Sequence, residues 1–275
     1  MAPVDIGDTC GLDGRVRPDR NRRRMEELFY GYFATRIYLP LSGLSRCWRR
    51  FSRRMRGKSD SFLQTTHLPE ASWKDCTRTR TIRIWEHAKL NGNVRNSELA
   101  ILSALASDCR DGTRLFEIGT FDGRTTLNLA LSSPAHCTVH TLDLPSNLEP
   151  KFALAKGERH MVDKPRSGAR YEKYRGRHPA AVGKIHQLLG DSATFDFSFY
   201  ADTCSLVFVD GSHHYDYVIS DTLAAMKMVM RGGVVIWHDD GVWGDVTRAL
   251  DELERREGCG LRNIGGTSLA YWIKR

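Results

Sequence analysis

The sequence predicts a doubly wound α/β domain, with seven mostly parallel strands and a C-terminal antiparallel hairpin. Three observations carry that prediction. The apolar run Leu115–Ile118 enters a turn from Gly119 to Gly123, and a helix with Leu127, Leu129, Ala130 and Leu131 on its apolar face leaves it. Leu206-Val207-Phe208-Val209 and Val234-Val235-Ile236-Trp237 are continuously apolar, as suits strands buried on both faces of a parallel sheet. The last two strand candidates are joined through Gly265-Gly266, which leaves no room for a crossover helix and requires antiparallel pairing.

Taken in order, residues 1–60 read as a basic arm and residues 61–95 as a helical lead-in. Residues 1–24 are polar and rich in glycine and arginine, a composition that favours disorder. Leu28 to Leu44 is apolar and aromatic, but Arg36 and Pro40 interrupt it, and at about 17 residues it falls at the lower limit for a bilayer span. A run of arginines from Arg46 to Arg54 follows. For residues 28–56, docking on the domain or a homo-oligomer contact ranks first and peripheral contact with an anionic membrane second. Nucleic acid ranks third, because no reader motif accompanies the arginines.

Ile82, Ile84, Trp85 and Ala88 suggest a helical piece that ends near Asn91-Gly92-Asn93, after which Asn96 or Ser97 caps a helix to Cys109. Strand candidates at 138–142, 185–189, 205–209, 234–237, 261–264 and 268–273 then alternate with helices at 123–132, 215–230 and 244–256. These make residues 96–275 one domain. An insert at about 150–183 carries nine Lys and Arg against three Asp and Glu. It reads either as a solvated loop or as a mobile lid that favours an acidic or phosphorylated acceptor.

Charge divides the chain unevenly. Residues 1–60 hold 14 Lys and Arg against 7 Asp and Glu, and the rest holds 27 against 26, so the basic balance belongs to the arm. Seven cysteines without a Cys-x-x-Cys pair indicate reduced thiols in a cytoplasmic protein and argue against structural zinc. No secretory signal is visible in the first twenty residues, which hold four aspartates and no apolar core.

Ligands of an open α/β sheet bind beyond the carboxyl ends of its strands. The first candidate strand ends in Glu117, Gly119, Thr120, Phe121, Gly123 and Thr125, and the second in Asp143 and Leu144. The third ends in Asp191 and Ser192, the fourth in Asp210 and His213, and the fifth in His238, Asp239 and Asp240. One acid at a strand end is an ordinary turn former, whereas a ring of them at one edge indicates a site. The glycine turn at a helix N-terminus is a candidate nucleotide cradle. Its two glycines stand too far apart for the Gly-x-Gly-x-x-Gly of dinucleotide folds, which disfavours an NAD-dependent oxidoreductase. Asp143 lies 24 positions after Gly119, near the spacing of a carboxylate that takes ribose hydroxyls.

Glu117-x-Gly119-x-x-x-Gly123 resembles the first motif of class I S-adenosylmethionine-dependent methyltransferases, and the terminal hairpin is similar to their seven-stranded sheet. Val209 to Tyr215 and Gly232 to Asp240 look like the corresponding stretches of bacterial sugar and macrolide O-methyltransferases. The resemblance covers about residues 96–275. It implies that Glu117, Gly119, Thr120, Phe121, Gly123 and Thr125 frame S-adenosylmethionine, with Thr120 and Phe121 along its methionine moiety. It further implies that Asp143 and Leu144 hold the ribose and that Asp191 and Ser192 contact the adenine, with Asp210 completing the set.

Adjacent parallel strands lie about 4.8 Å apart, so Asp210 and Asp239 can converge on one ion if their strands are neighbours. Carboxylates without thiolate suit Mg2+, or Mn2+ or Ca2+. The chain is here similar to catechol and caffeoyl-coenzyme A O-methyltransferases. Asp210, Asp239 and Asp240 fall on their metal ligands, and His213 falls where they carry a lysine base. His213 is accordingly the candidate base, with His214 and His238 as alternatives. The activity implied is methyl transfer to a hydroxyl of a small molecule. A metal-independent N-methyltransferase and a non-catalytic binding or assembly protein on the same fold are the rivals.

Overall fold

The computed structural model describes residues 65–79, 82–87, 94–164 and 166–275. The arm at 1–60, with its apolar run and its expected membrane or oligomer contacts, lies outside the described residues, as do Ala88 and Asn91 to Asn93.

The described chain forms eight strands: β1 (Glu70–Ala71), β2 (Arg114–Ile118), β3 (Thr138–Asp143), β4 (Ile185–Leu189), β5 (Cys204–Val209), β6 (Val229–Trp237), β7 (Arg262–Ile264) and β8 (Ala270–Ile273). Their order in the single sheet is β1-β7-β8-β6-β5-β2-β3-β4. All pairs are parallel except β8, which runs antiparallel to both β6 and β7. The expected hairpin is present, with Arg262 opposite Tyr271 and Asn263 opposite Ala270. The eighth strand is an addition to the expected seven. β1 pairs only Glu70 with Asn263 and Ala71 with Ile264, too short a run to show an alternating pattern.

The helices are α1 (Trp73–Cys76), α2 (Asn96–Ser107), α3 (Arg124–Ser132), α4 (Arg159–Val162), α5 (Ala169–Glu172), α6 (Pro179–Gly183), α7 (Tyr215–Met228) and α8 (Gly244–Glu257). The lead-in helix expected around Ile82 and Trp85 is absent from residues 82–87; Trp85 is instead held by Asn128 of α3, whose Oδ1 accepts from Trp85 N at 2.8 Å. The insert folds as three short helices, α4 to α6.

Alternation along the strands explains the two helical layers. Leu115, Leu206, Phe208 and Ile236 point to one face and pack with Leu99 and Leu102 of α2 and Leu129 and Ala130 of α3. Phe116, Ile118, Val207, Val235 and Trp237 point to the other and pack with Val218 and Ala225 of α7 and Val246 and Leu250 of α8. Phe116, Phe208 and Trp237 are almost wholly buried, and each such side chain contributes about 1.5–3 kcal/mol of transfer free energy. From β2 the chain builds outward through β3 to β4, then returns to place β5 and β6 on the opposite side of β2. The order therefore reverses between β2 and β5, and the carboxyl ends of those strands flank the crevice where open α/β sheets bind ligands.

Candidate active site

Backbone conformation shapes the turn after β2. Gly119 has φ +101°, Phe121 +48° and Gly123 +85°, all in the left-handed region. Gly119 N donates to Leu142 O at 2.8 Å and Gly123 N to Thr120 O at 2.9 Å, so the loop is tied to β3 and to itself. A Cβ on Gly123 would strike the Tyr171 ring at 2.5 Å, so that glycine makes room for the insert rather than for a ligand.

A cleft opens beside this turn. Gly119, Thr120, Phe121 and Thr125 line one wall, and Asp143, Leu144, Asp191, Ser192 and Asp210 come from the ends of the neighbouring strands. His213 lies at its edge, and the insert contributes Leu154, Glu158, Met161, Val162 and Lys164. Two residues assigned to the cofactor from sequence stay outside the lining: Gly123, for the reason above, and Glu117. The Glu117 carboxylate turns between α3 and β3, where Thr126 Oγ1 of α3 and Thr141 Oγ1 of β3 donate to it, the latter at 2.7 Å. Burial pushes its pKa up to about 8, with Asp210 and Asp143 adding to the rise.

At the other end of the cleft, side chains from four elements form a chain of alternating acids and imidazoles. Glu158 accepts from His213 Nδ1, and His213 Nε2 lies 2.7 Å from Asp239 Oδ2. His238 Nδ1 lies 2.9 Å from Asp210 Oδ1 and 3.3 Å from Asp239 Oδ2. His238 Nε2 faces Glu98 of α2 at 3.4 Å, and Ser268 N and Oγ donate to the other oxygen of Glu98. Asp239 reaches both rings because its backbone is left-handed, at φ +65°, which costs a residue other than glycine about 1–3 kcal/mol.

Charge in this cluster is mutually supporting. Burial disfavours the imidazolium of His213, but Asp239 and Glu158 outweigh burial and push its pKa up to about 9. The same balance raises His238 well above the usual histidine range, against burial, through Asp239 and Asp210. Burial would raise Glu98, yet its bond to His238 holds it at about 2, and Asp239 is lowered by the two rings in the same way. His213 also stacks on Trp243, with centroids 4.4 Å apart and the planes at 20°.

Asp210, His213 and Asp239 each offer a ligand atom within 4.8 Å of the others. Asp240, expected as a third carboxylate ligand, is not in that group. Its Oδ2 accepts from Asn263 Nδ2 of β7 at 2.8 Å, because Asp239 and Asp240 turn to different sides of the strand end. Where sequence placed a third carboxylate, the structure places the His213 imidazole.

A family model described as a methyltransferase domain matches residues 116–239, which run from β2 through the glycine turn and the cleft to Asp239. Residues 116–239 thus form a methyltransferase domain. Two solved structures share the fold of the methyltransferase domain and its flanking strands. The O-methyltransferase NovP is 19% identical over 74% of this chain and 88% of its own, with a TM-score of 0.50. CalS11, a calicheamicin methyltransferase, is 14% identical over 98% of this chain and 99% of its own, also with a TM-score of 0.50. No curated protein matches the chain.

The cleft and its acid and imidazole cluster include residues that sequence reasoning did not single out: Glu158, Lys164 and Tyr217 in the lining, and Glu98 in the cluster. Glu98 stands at the third position of α2 and looks like an ordinary capping-box acid, a role it also fills toward Arg95 N at 2.8 Å. Glu158 and Lys164 are two of the insert's many charges, and nothing local in the sequence marks them as buried.

Proposed function

We propose that this domain methylates a hydroxyl group of a small molecule, with a divalent cation assisting at Asp210 and Asp239. The observation that carries the reading is the convergence of Asp143, Asp191 and Asp210 on one cleft at the reversal point of the sheet, beside the imidazole and carboxylate cluster. The likeness to NovP and CalS11 is one of fold; the choice of a hydroxyl acceptor rests on the cluster.

S-adenosylmethionine supplies a methyl group already activated on a sulfonium. The turn from Gly119 to Gly123 presents its backbone to the cleft, and Asp143, at the end of β3, is placed to accept from ribose hydroxyls. Asp191 and Ser192, which line the same cleft, would contact the adenine. The carboxylates of Asp210 and Asp239 form a hard donor pair that fits Mg2+ or Mn2+, and a cation there would lower the pKa of an acceptor hydroxyl. Asp210 and Asp239 are the residues that would hold it, which leaves the His213 ring as the base.

His213 is the only imidazole that lines the cleft among the described residues. In the arrangement observed it is an imidazolium near neutral pH, because two carboxylates hold its protons. It becomes a base only when Asp239 is otherwise engaged: the ring then gives its Nε2 proton to solvent and keeps Nδ1–H on Glu158, and the free Nε2 takes the acceptor's proton as the methyl group transfers. Holding donor and acceptor in line supplies most of the remaining acceleration.

The test is transfer of an isotope-labelled methyl group from S-adenosylmethionine to a panel of phenols, sugar hydroxyls and amines, with and without chelator. Ether products, lost with chelator and reduced about 100-fold or more in His213→Ala, are expected. Amine products that persist with chelator would contradict the reading.

A further inference from the structure

The insert is held in two different ways along its length. From Lys151 to Lys164 it is held by the acids and polar groups of the cleft. Lys151 N donates to Asp191 Oδ2 at 2.7 Å. Glu158 accepts from Ser212 Oγ at 2.8 Å and from His213 N at 2.6 Å, as well as from the His213 ring. Lys164 Nζ lies 2.7 Å from Asp143 Oδ2, and Ser167 Oγ donates to the same oxygen.

Beyond Gly168 the insert is bound instead to the scaffold. Gly168 N donates to Phe121 O at 3.0 Å and Arg170 N to Asp122 O at 2.7 Å. The Arg170 guanidinium pairs with Asp122 at 2.5 Å and with Glu86 at 3.2 Å. Tyr171 packs into the space that Gly123 leaves and donates to Gln187 at 3.0 Å. Gly168 itself sits at φ +70° between the two halves, a backbone state that glycine adopts without strain.

We propose that Lys151–Lys164 is a lid hinged at Gly168, and that Lys164 is its latch, which must leave Asp143 before a nucleoside can bind. This rests on the reading that Asp143 takes ribose hydroxyls. One of the two oxygens that would receive the diol, Oδ2, is already engaged by an ammonium and a hydroxyl. Lys164 and Asp143 are 10% and 9% exposed, so the pair is desolvated, and separating it leaves a buried charge unless another donor arrives. Ribose hydroxyls are such donors, so cofactor entry and lid opening compete for one carboxylate. The Glu158 contacts make a second latch at the cation end of the cleft.

The test combines amide hydrogen exchange on the ligand-free full chain with calorimetry of S-adenosylhomocysteine, for the wild type, Lys164→Met and Ser167→Ala. In Lys164→Met, exchange in 151–164 is expected to rise at least fivefold while 168–183 stays unchanged, and the ligand is expected to bind several-fold more tightly. Ser167→Ala, which removes a competing donor without leaving a lone buried charge, is expected to act in the same direction with a smaller change. Equal exchange in the two halves, or no change in either, would overturn the hinged lid. Wild-type binding that weakens tenfold in Lys164→Met would overturn the latch and make Lys164 part of the cofactor site. Absence of binding in all three proteins, with exchange responding as expected, would overturn the gating of a nucleoside through failure of the cofactor reading itself.

Discussion

Gly119 and Asp210 approach so closely that a Cβ on the first would fall 2.0 Å from the carbonyl oxygen of the second. The turn after β2 and the end of β5 thus meet backbone to backbone, which is what draws Asp210 to the rim of the cleft. Gly119→Ala meets that clash at φ +101° and is expected to cost about 2–4 kcal/mol of stability. Denaturant unfolding of the variant checks it, and a midpoint equal to the wild type would refute the close approach.

Glu117 should leave a signature in the pH dependence of stability. Burial raises its pKa from 4.5 to about 8 in the folded protein, so the folded state binds more protons than the unfolded state between those values. Its contribution is therefore complete below pH 4.5 and is lost as pH rises through 8. Melting temperatures of the wild type and Glu117→Gln, compared from pH 5 to pH 9, should diverge in favour of the variant as pH rises.

His213 titrates in the opposite chemical sense but with the same direction of stability. Its pKa is raised from 6.5 to about 9 in the folded protein, because Asp239 and Glu158 overcome the effect of burial. Its contribution is present below pH 6.5 and is lost as pH rises through 9. Nuclear magnetic resonance of the ligand-free protein, kept in chelator, should show an imidazolium at pH 7.5. Glu158→Gln removes one of the two carboxylate partners and should bring the midpoint down by at least one unit.

The cation group separates Asp239 from its neighbour. Asp239→Asn should weaken Mn2+ binding about tenfold or more, by electron paramagnetic resonance titration, and Asp210→Asn should do the same. Asp240→Asn should leave the affinity within about threefold, since the Asp240 carboxylate faces Asn263. A larger loss in Asp240→Asn than in Asp239→Asn would restore the ligand set expected from sequence.

Most of the sheet was legible because its central strands are continuous apolar runs between turn signals. Leu206 to Val209 needs no neighbour to identify it, and Gly265-Gly266 leaves only one way to pair β7 with β8. β1 was not legible, since two residues carry no period and its pairing partner lies almost two hundred positions away. The rim acids Asp143, Asp191 and Asp210 could be located by counting from strand ends, because strand direction fixes which end they occupy. Their detailed engagement could not. Glu158 meets His213 across 55 positions, and Lys164 meets Asp143 from an insert whose helices are too short to show a face. Glu117 and Asp240 point away from the places expected of them for a shared cause: side-chain direction at the end of a strand depends on local backbone turns, and the left-handed Asp239 is one that composition does not announce.

Calorimetry with S-adenosylhomocysteine, on the wild type and on Asp143→Ala, tests the nucleoside cleft most directly. The account predicts micromolar binding to the wild type and a loss of at least tenfold in the variant, with the variant still folded by circular dichroism. Equal binding by the two proteins, or none by the wild type, would contradict it.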